Sequence, residues 1–304
     1  HIAKGDRGRW PYFTHLELES LPTGGWGYDH FPVSAKYTET LGMEFLGMTG
    51  KFHTTWGEFG GYKRPVALEY ECAQMIAMGA RCSVGDQLHP SGKLDEPTYR
   101  GIGQAYAAVE QLEPFLTDSE PVSEIAVLSP EAMGRSGERH IPEEYGAARM
   151  LLELHQQFTV IDTETPLDPF KLLVLPDTIR LEGPFLESVS HWLRSGGRLI
   201  ASGRSLLNAE ASGFLLDFPA EVGGCSPFHP DYLRVDPSWD RDLVESPFVV
   251  YERSWRFRAT GQAEPVADVH DPYFNRTWRH FCSHQHAPAR PEPNGFHGIL
   301  ATGQ

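Results

Sequence analysis

Apolar positions change their period several times along the first third of the chain. Between Tyr12 and Ser20 they alternate, as on a strand with one covered face. Glu44 to Phe52 and Arg81 to Val84 also read as strands, and Phe31 to Leu41 as a short helix. Pro65 to Ala80 is helical, with Pro65 suited to a first turn. A longer helix is expected from about Glu96 to Glu113, with Asp95 as its cap and Pro114 as its stop. Such strand-then-helix units in succession predict parallel strands covered by helices.

The joint Leu116-Thr117-Asp118-Ser119-Glu120-Pro121 opens a second module. Its compact apolar runs predict strands at Glu124 to Leu128, Phe158 to Ile161, Leu172 to Pro176 and Arg198 to Ser202. Helices are expected at Glu143 to Gln157 and Phe185 to Arg194, the latter stopped by Ser195-Gly196-Gly197. That alternation suggests an open doubly wound sheet. Beyond about Gly203 the chain becomes Pro- and aromatic-rich, with short β-like runs such as Phe248 to Glu252.

Composition narrows the function. Of 304 residues, 40% are hydrophobic and 12% aromatic, enough for a substantial core. The net charge of −15 gives no overall field for nucleic acid or anionic lipid. No run reaches the roughly 18 apolar residues of a membrane span. Cys72, Cys82, Cys225 and Cys282 form no C-x-x-C pair, so reduced thiols in a cytoplasmic protein are expected. The chain opens on His1-Ile2-Ala3-Lys4-Gly5 without an initiator Met and reads as a segment of something longer.

Candidate chemistry gathers where the first three strands end. On the first, His15, Glu17 and Glu19 share one face and Leu16 and Leu18 the other. The loop Thr23 to His30 follows, where Trp26 and Tyr28 offer flat faces of the kind sugars stack on. The alternative is an edge strand with a solvated polar face. Around the second strand, Lys51 and His53 share a parity and Trp56 and Glu58 come next, a plausible site for a sugar or other polar metabolite. Trp56 and Phe59 packing a loop, with Lys51 and Glu58 paired on the surface, would be the structural alternative. Asp86, Gln87 and His89 leave the third strand, with Asp86 as a mere turn residue the alternative. His280, Cys282, His284 and His286 invite a metal reading, but their spacing matches no standard zinc module, and no metal or organic cofactor is assigned. The second module carries no Gly-x-Gly-x-x-Gly, P-loop lysine or nucleophile elbow, so it reads as an assembly domain.

The motifs His15-Leu16-Glu17-Leu18-Glu19-Ser20-Leu21-Pro22, Trp26-Gly27-Tyr28-Asp29-His30, Thr49-Gly50-Lys51-Phe52-His53 and Gly85-Asp86-Gln87-Leu88-His89-Pro90 carry a resemblance. They are similar to the last part of the catalytic barrel of the hypothetical glycosyl hydrolase 6 group, which includes the alpha-L-fucosidases of glycoside hydrolase family 151. Residues 121 to about 205 resemble the flavodoxin-like beta-galactosidase trimerisation domain, also found in family 42 beta-galactosidases. Leu172 to Pro176 and Ser195-Gly196-Gly197-Arg198-Leu199-Ile200 carry that match, and Pro272 to Thr277 through His286 also look like this group.

The resemblance implies an α/β chain in three pieces. Residues 1–118 would be the C-terminal part of a (β/α)8 barrel, 119–225 a flavodoxin-like domain related to class I glutamine amidotransferases, and 226–304 a β-rich segment. It implies an exo-acting alpha-L-fucosidase working through two carboxylates. A family 42 type beta-galactosidase and a non-catalytic assembly protein are the alternatives. Glu19 or Glu58 is the expected catalytic carboxylate, with Glu17 in reserve, and the second is expected upstream. His15, Trp26, Lys51, His53, Trp56, Asp86 and His89 are the expected sugar-binding residues. A homotrimer or a multiple of it is expected, with Asp268 to His286 near a neighbour's barrel mouth.

Overall fold

The computed structural model describes residues 2–134 and 140–303. Internal contacts divide the chain into two compact units, His1–Ile179 with Glu187–Ile200, and Arg180–Leu186 with Ala201–Gln304. No helix among the described residues is long and apolar enough to cross a membrane.

The first unit begins with β1 (Leu16–Glu19), α1 (His30–Thr38), β2 (Phe45–Gly50), α2 (Pro65–Ala77), β3 (Arg81–Gly85) and α3 (Glu96–Leu112). The strands form one parallel sheet in the order β1-β2-β3, with Leu16 opposite Phe45 and Leu46 opposite Arg81. The first strand is shorter than its alternation predicts. Arg7–Tyr12 instead makes a 3₁₀ turn, which accommodates Pro11 and drops Trp10 into the core. Leu16, Leu18 and Phe45 pack with Phe31, Ala35 and Met75 of the covering helices. Gly47 allows this contact, since a Cβ there would lie 2.5 Å from Met75 and 2.6 Å from Phe31. Cys72 and Cys82 meet where the Cys82 thiol donates to the Cys72 carbonyl at 3.4 Å. Both are free.

The chain continues through β4 (Ile125–Leu128), α4 (Pro142–Glu153), β5 (Thr159–Ile161), β6 (Leu172–Leu175), α5 (Gly183–Arg194) and β7 (Arg198–Ala201), of which the first turn of α5 and the last residue of β7 fall to the second unit. Their sheet runs β5-β4-β6-β7, the flavodoxin-like order in which the first strand lies between the second and third. One apolar cluster joins the two sheets: Val33 and Tyr37 of α1 pack with Val127, Tyr145, Phe158, Val160 and Val174.

Charges complete the join. Arg7 reaches Asp162, just past β5, through Nε at 2.7 Å and Nη2 at 2.9 Å, and the Tyr37 hydroxyl donates to the same carboxylate at 2.8 Å. The Lys4 ammonium lies 3.1 Å from both Glu131 and Glu144, all three buried. Gly5, at φ 85°, makes the approach possible, because a Cβ there would meet the Ala132 backbone at 2.9 Å. In an open α/β sheet, ligands bind outside the C-terminal strand ends. Here residues 4–7 reach Glu131 just past β4, Asp162 just past β5 and Glu144 on α4.

The second unit carries the strands β8 (Ala220–Cys225), β9 (Asp231–Val235), β10 (Phe248–Val250), β11 (Trp255–Ala259), β12 (Glu264–His270) and β13 (His297–Ala301). They form a six-stranded sheet of order β10-β9-β12-β13-β11-β8. Buried Arg256 bridges Asp231 at 3.4 Å and Asp271 at 2.5 Å. Exposed Trp278 and Phe281 each lie beside a guanidinium, of Arg279 and Arg276 respectively.

Candidate functional site

Parallel strands deliver their following loops to one side, so Glu19, Gly50 and Gly85 end together. A cleft of about 420 Å³ opens between the loops that follow β2 and β3. Of the residues expected from sequence, Lys51, Asp86 and His89 line it. Tyr62, Gln87, Asp95 and Tyr99 line it as well.

The loop after β2 is held from inside. Lys51, only 5% exposed, donates from Nζ to the Glu58 carbonyl at 3.3 Å and lies 4.6 Å from the Tyr62 ring centre. Trp56 reaches back over the strand ends, edge-on to Phe52 at 5.0 Å. Gly85 makes room for it, since a Cβ there would sit 2.5 Å from the indole. The Glu58 carboxylate accepts the Thr54 N–H at 2.6 Å. That bond, foremost among its surroundings, holds the carboxyl below the usual carboxylate range, so Glu58 stands ionised. His53 is exposed on the same loop. Lys51 and His53 come after the strand ends, so their shared parity has no face to act on.

Across the cleft, the Asp86 carboxylate accepts the Gln87 N–H at 2.8 Å. His89 bonds Ser91 at 2.7 Å through Nδ1 and meets Phe59 edge-on at 5.9 Å, which brings the two loops into contact. Asp95 accepts hydroxyl protons from Thr98 at 2.5 Å and Tyr62 at 3.3 Å, and the Thr98 bond leads in keeping its carboxyl low. Gln87 stands apart: among the described residues neither its Nε2 nor its Oε1, both buried, finds a hydrogen-bond partner. A buried amide in that state is costly, and it presents a donor beside an acceptor.

The loop after β1 lies close by, since a Cβ on Gly24 would come within 2.9 Å of the Thr54 carbonyl. Trp26 stacks edge-on against His30 at 4.9 Å. His30 bonds Ser20 through Nδ1 at 3.1 Å, and burial, then the Lys4 ammonium, lowers its pKa to about 4. Folded His30 therefore stays neutral while the unfolded chain takes up a proton below 6.5. Stability should be full above that pH and decline toward 4. His30→Gln is expected to flatten this decline in urea titrations compared at about pH 7 and about pH 5.

Three expected residues lie on or beside β1. His15 precedes the strand at its N-terminal end, 3.8 Å from Glu17, and Glu19 sits at the C-terminal end with the loops. Leu16 and Leu18 are buried, with Glu17 and Glu19 on the opposite parity. The His280 to His286 block is mainly exposed, and among the described residues no three His, Cys, Asp or Glu side chains converge on a metal-sized site.

No family model and no curated protein sequence matches the chain. Solved structures do. The alpha-L-fucosidase isoenzyme 2 from Paenibacillus thiaminolyticus is 45% identical, with a TM-score of 0.91 over 99% of this chain and 46% of that one. Beta-galactosidases are similar in fold: that from Rahnella sp. R3 has TM-score 0.68 and 14% identity over 87% of this chain and 45% of its own. The enzyme from Bacillus circulans sp. alkalophilus gives 0.63 and 16% over 86% and 44%. The chain thus spans about half the length of these enzymes. Along almost all of its own length, it is a relative of the glycoside hydrolases that its sequence motifs resemble.

Proposed function

We propose that this chain is part of an exo-acting alpha-L-fucosidase. The observation that carries the reading is the cleft at the β2 and β3 strand ends, lined by acids, an amide and aromatic rings, in a chain 45% identical along 99% of its length to a solved alpha-L-fucosidase. On this reading residues 1–118 are the C-terminal part of a (β/α)8 barrel, where catalytic groups sit at C-terminal strand ends. Residues 119–225 form an assembly domain and 226–304 a β-rich segment.

Two carboxyl groups perform such hydrolysis: one protonates the leaving oxygen, and the other attacks the anomeric carbon or activates water. Glu58, held ionised, suits the second task. Glu19 at the end of β1 is the candidate partner, Glu17 the reserve, and a carboxyl from outside this chain the further alternative. Trp26 and Trp56 supply stacking faces, and Lys51, His53, Asp86 and His89 supply polar contacts. His15 is the weakest member of the set, because it lies at the other end of β1. The Gln87 amide, closed to solvent at the cleft wall, would suit a pair of neighbouring sugar hydroxyls once uncovered, accepting from one and donating to the other.

The whole protein should hydrolyse an aryl alpha-L-fucoside, and Gln87→Leu should lower kcat/KM about 10- to 100-fold, as expected when a buried polar contact to sugar is lost. Turnover of an aryl beta-galactoside alone would move the reading to the family 42 type. No turnover of either would leave an assembly protein. We also infer a homotrimer or a multiple of it, with the Asp268 to His286 block against a neighbour. A monomer by light scattering would overturn that.

A further inference from the structure

We propose that Glu71 is a positioning residue whose buried carboxylate ties the loops after β1 and β2 into the shape that the cleft requires. The inference rests on the glycosidase reading for what those loops do, while the tie itself is read directly from the contacts.

Glu71 lies on α2 with its side chain 2% exposed, and three segments converge on it. The Tyr28 hydroxyl, from the loop after β1, donates to Oε1 at 3.2 Å. The Thr49 hydroxyl, near the end of β2, donates to Oε2 at 2.5 Å. Lys63 Nζ, at the far end of the β2–α2 loop, donates to Oε2 at 2.6 Å and to the Thr49 hydroxyl oxygen at 2.7 Å. The Lys63 main-chain N–H also donates to the Lys51 carbonyl at 2.9 Å, and the Lys51 N–H to Gly85 at 3.0 Å. The stretch between Lys51 and Lys63 therefore leaves and returns at one point, carrying His53, Trp56 and Glu58 as it goes.

The chemistry here is costly for a position that only packs. Burying a carboxylate with an ammonium gains little net stability over apolar side chains of the same volume, and what it adds is a fixed geometry. The Glu71 oxygens accept from one loop, one strand end and the return of another loop, so moving any of them breaks a charge-assisted bond. Tyr28 remains a donor across the physiological range, since burial and then Glu71 push its pKa up to about 12. Its ring is braced by Tyr70, edge-on at 5.4 Å.

A structural role and a positioning role separate in the whole protein assayed on an aryl alpha-L-fucoside. Lys63→Met with Glu71→Met removes both charges at similar volume, so the fold should persist. We expect a melting temperature near wild type, KM raised about tenfold or more, and a smaller change in kcat, as displaced binding loops produce. Tyr28→Phe removes one hydroxyl, keeps the ring, and should raise KM about threefold. Hydrogen exchange at the Lys51 and Lys63 amides should quicken in the double variant, with the strand amides unchanged. Wild-type KM in both folded variants, or unchanged exchange at those two amides, would overturn the proposal. If the wild-type protein turns over neither fucoside nor galactoside, the glycosidase reading fails, and the exchange measurement still decides the tie.

Discussion

Asp162→Ala is expected to destabilise the first unit by about 3–5 kcal/mol, the cost of breaking one side of a buried, hydrogen-bonded charge pair. The Asp162 side chain is fully buried and accepts from Arg7, Tyr37, the Thr165 hydroxyl at 2.9 Å and the Glu164 N–H at 3.0 Å. Without it, Arg7, a quarter exposed, regains some water, but the buried Tyr37 hydroxyl loses its acceptor. Burial is the largest influence on the Asp162 carboxyl and pushes its pKa up. The bonds from Arg7, Tyr37 and Thr165 together outweigh it, and the pKa falls below 3.8. Its contribution is therefore complete above about that pH and lost as the pH drops through the lower folded value. Urea unfolding should show the full loss near neutrality and a shrinking gap between wild type and Asp162→Asn in acid. A loss below about 1 kcal/mol for Asp162→Ala would mean that the apolar cluster alone joins the two sheets.

Glu58→Gln is expected to lower kcat on an aryl alpha-L-fucoside at least 10²–10⁴-fold, the usual contribution of a positioned acid or base. The amide oxygen can still accept the Thr54 N–H, so the loop keeps its shape and only the charge is lost. Because Glu58 is held below the usual carboxylate range, the acid limb of the pH–rate profile should lie lower than for an ordinary glutamate. Glu19→Gln provides the comparison. Near-normal kcat in both variants would assign the chemistry to other carboxyls.

What was legible in the sequence was whatever repeats. The alternation of Leu16 and Leu18 with Glu17 and Glu19 foretold the covered face of β1, and the short apolar runs foretold the strands of the second sheet. The cleft was half legible. Lys51, Asp86 and His89 could be found because they sit at or just past strand ends, where a parallel sheet collects its loops. Tyr62 comes from the middle of a loop, where no periodicity points inward, and Asp95 reads first as a helix cap. Glu71 was hidden, since a glutamate in a helix reads as solvated. It is buried because α2 packs on α3 through Leu68, Cys72 and Ile76 while Met75 faces the strands. The Lys4 and Arg7 contacts were invisible for a different reason. Their partners lie more than a hundred positions away, and no local pattern encodes such a pairing.

The most direct test of the central claim compares kcat/KM of the whole protein on an aryl alpha-L-fucoside and on the matching aryl beta-galactoside, with Glu58→Gln measured alongside. We expect turnover of the fucoside to exceed that of the galactoside by about a hundredfold or more, the discrimination a site gains from hydrogen bonds to specific hydroxyls, and to collapse in Glu58→Gln. Preference for the galactoside, or fucoside turnover that survives the substitution unchanged, would contradict it.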